Sequence, residues 1–258
     1  MNFEFVRPFS PLVEDEFKIQ DLTPHSRLSA RGGGWIIDPA TPIRGDGMAA
    51  SKTRVLGLAC SPRKGGNTDL MLDAALEGAA AQGATVEKIF VPGLDIHPCR
   101  ACNACYKDGR CVQKDDMQML YPKLLSYEAI ALAAPIFSMG LAAQAKIMID
   151  RMQCCWAKKF VLREHTVEEG AREGRHGLWL GAAGMDRTDH IDSAWMTVNY
   201  FFAMLEIPGR ERVTYTGVDD KGDILEVAGA IEACRDAGAR LVTETTKSEG
   251  EKWQSSLS

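Results

Sequence analysis

Four cysteines in the middle of the chain have the types and spacing best suited to chemistry. They follow the pattern C-x2-C-x2-C-x5-C and stand at Cys99, Cys102, Cys105 and Cys111. Two successive x2 gaps allow three thiolates to surround one small centre, and the fourth returns after Asp108-Gly109, a dipeptide typical of turns. The pattern therefore predicts a metal centre held by thiolates.

The grouping of these cysteines narrows the identity of that centre. Structural zinc sites usually take two separated cysteine pairs, and the bacterial ferredoxin run has an x3 gap before a last cysteine that ligates another cluster. The chain contains no second run, so all four cysteines would ligate the same centre. A 4Fe-4S cluster fits this arrangement best, while zinc and free or disulfide-forming thiols remain open alternatives.

A second candidate site is the loop from Cys60 to Thr68 (CSPRKGGNT), which follows a predicted strand and opens a predicted helix. A helix N-terminus offers unpaired N–H groups and a partial positive charge, two glycines permit close backbone approach, and Arg63 adds a formal charge. The loop matches neither the Gly-Lys-Ser/Thr ending of nucleotide-hydrolysing loops nor G-x-G-x-x-G. It suits a phosphate dianion, and the alternative is an ordinary turn capped by Asn67 or Thr68.

The elements that must position both loops alternate between strand and helix patterns. Short apolar runs predict buried strands, and apolar side chains at helical spacing predict the helices. Such alternation is typical of a parallel sheet with helices on both faces, and five strands favour the flavodoxin-like order 2-1-3-4-5. The predicted strands are 54–59, 85–91, 129–134, 177–181 and 212–217, and the predicted helices are 67–83, 116–126, 141–152, 189–205 and 224–245.

These loops resemble those of a known family. The segment 61–68 (SPRKGGNT) looks like the FMN-phosphate loop of the flavodoxin-like NAD(P)H-dependent FMN reductase superfamily. The segment 134–140 (APIFSMG), followed by Lys146 and Asp150-Arg151, resembles the family's loop after the third strand. With the cysteine motif added, the chain resembles the iron-sulfur flavoproteins, which are archaeal and bacterial relatives of the FMN reductases, over roughly residues 54–241.

The resemblance implies that each subunit of a homo-oligomer, a dimer or tetramer, carries FMN and one 4Fe-4S cluster. The four cysteines would ligate the cluster. The FMN phosphate would contact Ser61, Arg63, Lys64, Gly66, Asn67 and Thr68, and the isoalloxazine ring would contact Pro135, Ile136, Phe137, Ser138, Met139 and Gly140. Ala182 to Met185 resembles a third contact segment. Cys60 is expected to pack near the flavin, and Cys154 and Cys155 are expected to be core or interface thiols.

The function that the resemblance implies is that of an FMN-dependent oxidoreductase passing electrons between a one-electron donor such as ferredoxin and an acceptor. No residue is assigned as a catalytic acid or base, because the chemistry would belong to the cofactors. Two alternatives remain open. One is an NAD(P)H-dependent FMN or quinone reductase without a functional cluster, and the other is a non-catalytic redox-sensing regulatory protein.

Composition sets the boundaries of these hypotheses. The chain has 258 residues, of which 45% are hydrophobic and 25% charged, and its formal net charge is -5. These values are typical of a soluble globular protein and argue against nucleic-acid or membrane partners. The start of the chain lacks the apolar core of a signal peptide, so a cytoplasmic location is expected. We predict an irregular N-terminal extension (1–52), a flavodoxin-like domain (53–246) that includes a cluster loop (97–115), and a C-terminal tail (247–258).

Overall fold

The computed structural model describes residues 53–167, 172 and 174–255, so the predicted extension 1–52 lies outside the described residues. None of the helices in these ranges has the length and apolar composition required to cross a bilayer. The strands are β1 (Arg54–Ala59), β2 (Thr85–Phe90), β3 (Ala129–Phe137), β4 (Gly140–Leu141), β5 (His176–Ala182) and β6 (Gly209–Tyr215). The helices are α1 (Asn67–Ala81), α2 (Met117–Ser126), α3 (Ala143–Asp150), α4 (Gln153–Trp156), α5 (Asp189–Met204) and α6 (Ala230–Ser255).

The sheet confirms the flavodoxin-like class. Its parallel strands run in the order β2-β1-β3-β5-β6, which is the predicted 2-1-3-4-5 arrangement. The predicted count of five strands is corrected to six, because β3 continues past Ala134 and turns back into β4. That turn consists of Ser138 and Met139, with φ of +48° and +67°. Positive φ at both central residues is the geometry of the tight hairpin turns that usually contain Asn-Gly.

Helices cover both faces of the sheet, so the strands are apolar on both sides. On one face, Leu56 and Leu132 pack with side chains of α2, α3 and α5. On the other face, Val55 and Ala131 pack with side chains of α1 and α6. Alternate residues of each strand point to opposite faces, which explains why the strand sequences read as continuous apolar runs.

Two predicted helices have different bounds in the structure. The segment predicted as one helix over 224–245 begins with a 3-10 turn, and α6 starts only after Gly229, whose φ is +75°. The same helix continues to Ser255 and therefore includes most of the segment predicted as a tail. The helix predicted over 141–152 begins at Ala143, because Leu141 pairs with Ile136 in the β3–β4 hairpin. The chain then continues through α4 into a π-helical turn at Ala157–Val161.

Helices α1 and α6 touch through two glycines. A Cβ atom on Gly238 would lie 1.8 Å from the carbonyl oxygen of Ala75, and one on Gly78 would lie 1.9 Å from that of Arg235. A glycine-to-alanine change inside a helix ordinarily stabilises it by about 1 kcal/mol. Here we expect Gly238→Ala to lower the free energy of unfolding by about 2 kcal/mol or more, because the helices must separate. Chemical denaturation measures this change, and a neutral or stabilising Gly238→Ala would contradict the helix crossing.

Candidate functional site

The loop after β1 forms a tight turn at the N-terminus of α1. The backbone N–H of Arg63 donates to Ser61 Oγ over 3.1 Å, and the N–H of Gly66 donates to the carbonyl oxygen of Arg63 over 2.9 Å. Gly65 has a φ of +64°, which glycine adopts without strain. A Cβ atom on Gly66 would lie 2.9 Å from the carbonyl oxygen of Arg63, so the turn has room only for glycine at this position.

A small pocket at the carboxyl ends of the strands brings most of the predicted FMN residues together. Its lining comes from the ends of β3 and β5, the start of α1 and the loops after β1, β5 and β6: Ser61, Arg63, Gly66, Asn67, Thr68, Pro135, Ile136, Phe137, Ala182, Gly184, Val218 and Asp219. Four predicted residues do not line it: Lys64 lies with Nζ 4.7 Å from the Phe90 ring centroid, and Ser138, Met139 and Gly140 belong to the β3–β4 hairpin. Val218 and Asp219 were not predicted from the sequence, because the loop after β6 carries no recognisable motif.

The side chain of Asn67 fixes the loop after β6 against α1. Its amide nitrogen donates to the carbonyl oxygens of Val218 and Asp220 over 3.3 and 2.9 Å. Its amide oxygen accepts from the N–H groups of Gly222 and Ile224 over 2.9 and 3.3 Å. These four hydrogen bonds occupy both the donor and the acceptor groups of the side-chain amide. Asn67 can therefore contact a ligand only through its backbone N–H in the first turn of the helix.

The charges around the start of α1 favour an anion in this pocket. The guanidinium of Arg63 lies at the rim and donates to the carbonyl oxygen of Asp219 over 2.7 Å. Asp69 in the first turn would compete with a bound anion, but Lys88 Nζ lies 2.7 Å from its Oδ1 and balances its charge. Lys88 also pairs with Asp73, and Asp219 lines the same pocket, so the features that favour an anion are the helix dipole, the N–H groups at the start of α1 and Arg63.

The β3–β4 hairpin places large apolar side chains beside this anion site. Phe137 is 43% exposed and Met139 is 46% exposed. Met185, in the loop after β5, is 49% exposed. Non-glycine residues with positive φ, such as Ser138 and Met139, cost free energy and occur preferentially at functional sites. Together the pocket and this rim can accept a ligand with a phosphate at one end and a flat apolar ring at the other.

The cysteine loop, residues 97–115, connects β2 to α2 and has little regular structure. Ala101, Asn103 and Gly109 have positive φ, and these local turns reverse the backbone between the cysteines. Cys105 is buried, Cys102 is exposed, and the other two cysteines of the motif are half-buried. All four are free thiols. Within the described ranges, no three or more His, Cys, Asp or Glu side chains are gathered closely enough to hold a metal ion, yet four free thiols on one loop are a donor set suited to an iron-sulfur cluster.

A buried ion pair ties the cysteine loop to α3. Arg151 and Asp115 are both almost fully buried, and they form a bidentate ion pair in which Nη1 and Nη2 each donate to one carboxylate oxygen. Arg151 also donates to the carbonyl oxygen of His97 over 2.7 Å and to Cys111 Sγ over 3.4 Å. Burial favours a higher pKa for Asp115, but hydrogen bonds from Arg151 and from the His97 N–H outweigh it and lower the pKa below the usual range. Arg151 was noted in the sequence, but its pairing with Asp115 was not predicted, because the two residues are 36 positions apart.

Two further thiols lie beneath the cysteine loop. Cys154 and Cys155 of α4 are buried, as expected of core thiols, and line a cavity of about 430 Å³ together with Cys111. A hydrogen bond from Cys155 lowers the pKa of Cys154, and that contact together with burial raises the pKa of Cys155. Cys105 Sγ lies 3.8 Å from the carbonyl oxygen of Gln153 in the same helix. The cysteine loop therefore rests on α4 as well as on α3.

The remaining two cysteines are buried core residues outside the cysteine loop. Cys60 is fully buried at the end of β1, and Cys234 is fully buried in α6. Burial raises the pKa of both thiols, to about 12 for Cys234. Neutral thiols of this kind act as small apolar side chains, so neither belongs to the cysteine loop's donor set.

Comparison with known sequences identifies relatives over most of this domain. A family model described as NADPH-dependent FMN reductase matches residues 53–213. The chain is 36% identical over 146 residues to an "Iron-sulfur flavoprotein" of Methanosarcina thermophila, a match that covers 57% of this chain and 74% of that protein. It is 40% identical over 99 residues to an "Iron-sulfur flavoprotein" of Archaeoglobus fulgidus, covering 38% of this chain and 45% of that protein.

Comparison with solved structures supports the fold. An NAD(P)H:quinone oxidoreductase from Methanothermobacter marburgensis aligns with a TM-score of 0.58 at 16% identity, covering 73% of this chain and 98% of that one. A flavone reductase aligns with a TM-score of 0.57 at 17% identity, covering 76% and 64%. At these identities the likeness concerns the flavodoxin-like fold.

Proposed function

Because the chain belongs to the NADPH-dependent FMN reductase family and, within it, to the iron-sulfur flavoproteins, we propose that it is an electron-transfer flavoprotein holding FMN and a 4Fe-4S cluster. The family makes the chain an FMN-dependent oxidoreductase. The cluster and the physiological partners are the parts that we propose. Electrons would enter from a one-electron donor such as ferredoxin and leave to an acceptor through FMN.

The observation that carries the flavin part of the proposal is the convergence of four loops on one pocket at the carboxyl edge of the sheet. In open α/β sheets, ligands bind at this edge. We propose that the backbone N–H groups at the start of α1 and the Arg63 guanidinium hold the FMN phosphate. Pro135, Ile136 and Phe137 would border the isoalloxazine ring, and the hairpin carrying Met139 would cover it.

The cluster part of the proposal depends on the cysteine loop. We propose that Cys99, Cys102, Cys105 and Cys111 ligate a single 4Fe-4S cluster. Four free thiols with two successive x2 gaps support it, and so does the contact of this loop with α3 and α4, which anchors it to the sheet. Exposure of Cys102 leaves the loop accessible to a protein electron donor.

The chemistry of such a protein divides between cofactors and chain. FMN accepts or donates one or two electrons and a 4Fe-4S cluster exchanges one, so the pair can couple a one-electron donor to a two-electron acceptor. The chain supplies position and electrostatics. The start of α1 would neutralise the phosphate charge, and the apolar side chains of Phe137 and Met139 would limit access of water to the ring. Helix α3 follows the hairpin and ends beside the cysteine loop.

The proposal includes a homo-oligomer. Met196 on α5 is 69% exposed and Tyr200 is 49% exposed, and both border a groove that also contains Ile149 and Trp156. Exposed apolar side chains grouped in this way are typical of protein contact surfaces. A second copy of the chain on this groove would bury them.

Cofactor analysis of protein purified without oxygen tests the proposed function directly. We expect about one FMN, four iron and four acid-labile sulfide per chain, with visible absorption that bleaches on reduction by dithionite. Reduced ferredoxin and NADPH should then be compared as donors. One FMN without iron, together with rapid oxidation of NADPH, would replace the proposal by a simple FMN or quinone reductase. Zinc in place of iron would show that the cysteines form a structural site.

A further inference from the structure

We propose that Arg151 is a positioning residue for the iron-sulfur cluster, and that the balance of charge between Arg151 and Asp115 sets the cluster's reduction potential. This inference rests on the proposed function, because it concerns the environment of a cluster bound by the cysteine loop. The observation that carries it is the hydrogen bond from Arg151 Nη2 to Cys111 Sγ, which measures 3.4 Å.

Every hydrogen-bond partner of the Arg151 side chain within the described residues belongs to the cysteine loop. Nη1 donates to the carbonyl oxygen of His97 and to Asp115, and Nη2 donates to Asp115 and to Cys111 Sγ. Arg151 is only 1% exposed, so solvent screens the charge of its guanidinium very little. It therefore joins the first part of the loop, at His97, to the last cysteine and to the end of the loop.

Asp115 supplies the opposing half of this arrangement. Its carboxylate accepts from the backbone N–H groups of His97 and Met117 over 3.0 and 3.2 Å as well as from Arg151. Replacing a buried ion pair by apolar residues is often neutral or stabilising, so simple attachment of the loop does not require charge. An effect on the ligand sulfur does require charge, because a charged donor alters the electron density on that sulfur much more than a neutral one.

The two charges act on the cluster in opposite directions. A positive donor next to a ligand sulfur stabilises the more negative, reduced state, and hydrogen bonds to the sulfurs are among the factors that set cluster potentials. A carboxylate near the cluster destabilises the reduced state. The pair as a whole is neutral, so removing either member leaves the other charge uncompensated beside Cys111.

The test is a comparison of cluster reduction potentials in Arg151→Met and Asp115→Asn. Each variant breaks the same ion pair, so a merely structural role would affect both alike. We expect the potential to fall in Arg151→Met and to rise in Asp115→Asn, each by about a tenfold change in the equilibrium constant for reduction. For a one-electron couple this is about 59 mV. Potentiometric titration followed by electron paramagnetic resonance measures both values.

Two further variants serve as controls for this comparison. Arg240→Met removes an equivalent positive charge that pairs with Glu211 at the surface, and it should leave the potential unchanged. Arg151→Lys keeps the charge and should give a potential between those of wild type and Arg151→Met. If Arg151→Met loses its iron, the downward shift in Arg151→Lys and the upward shift in Asp115→Asn decide the matter.

Failure of this inference is distinguishable from failure of the proposed function. Wild-type protein that contains FMN but no iron would overturn the proposed cluster, and the positioning role with it. Wild-type protein with a cluster, and variants whose potentials move in the same direction or not at all, would overturn the positioning role alone.

Discussion

Gly66→Val should release FMN from the protein, with the dissociation constant rising about 100-fold or more. The added side chain would begin 2.9 Å from the carbonyl oxygen of Arg63 and 3.7 Å from Ser61 Oγ, so the turn must open. Opening it turns away the N–H groups at the start of α1 that we propose as phosphate ligands. Losing one or two hydrogen bonds to a charged group costs about 3 kcal/mol, which corresponds to the stated loss of affinity.

Titration of the flavin-free protein with FMN, followed by flavin fluorescence, measures this effect. Gly65→Ala is the matched control, because Gly65 has strained backbone geometry for alanine but does not line the pocket. We expect the control to bind FMN within about tenfold of wild type, because the strain of about 1–2 kcal/mol is present in the free and the FMN-bound protein alike and lowers the stability of both. Wild-type affinity in Gly66→Val would show that the phosphate lies elsewhere.

Cys102→Ser should remove the iron and leave the flavin in place. Cys102 is exposed, so replacing its sulfur by oxygen disturbs no core packing and should change the free energy of unfolding by about 0.5 kcal/mol or less. Loss of one of four thiolate ligands nevertheless opens the cluster to solvent and oxidation. We expect iron and acid-labile sulfide to fall at least about fourfold, while FMN stays near one per chain.

Cys234→Ala provides the control for this experiment, because Cys234 is buried in α6 and belongs to the opposite face of the sheet. It should retain iron and FMN at wild-type levels. Full iron content in Cys102→Ser would contradict the proposed ligand set. Loss of FMN as well as iron would show that the cysteine loop and the flavin pocket depend on each other structurally.

The parallel sheet was predictable because its strands are buried on both faces. The run 129–134 contains only apolar residues. A strand that is buried on both faces has such a continuous apolar run, whereas a strand with one face in water alternates apolar and polar residues. These apolar runs did not predict the β3–β4 hairpin. Ser138 and Met139 both have positive φ, but the pair lacks the Asn-Gly sequence that would have predicted a tight hairpin turn.

The loop that we propose for the FMN phosphate could be singled out from the sequence because its residues are contiguous. The rest of the pocket is contributed by segments far apart in the chain, and Asn67 reaches across about 150 residues to hold the loop after β6. Nothing in the local sequence of Val218 and Asp219 indicates that contact. The partnership of Arg151 and Asp115 was unpredictable for the same reason, since 36 positions separate the two residues.

The burial of Arg151 has an evolutionary consequence. Its guanidinium lies inside the flavodoxin-like domain, but its partners within the described residues come from the cysteine loop. A descendant that lost this loop would keep a buried, unpaired charge, which destabilises a protein by about 3–5 kcal/mol. Loss of the loop should therefore be accompanied either by new partners for Arg151 or by its replacement with an uncharged residue.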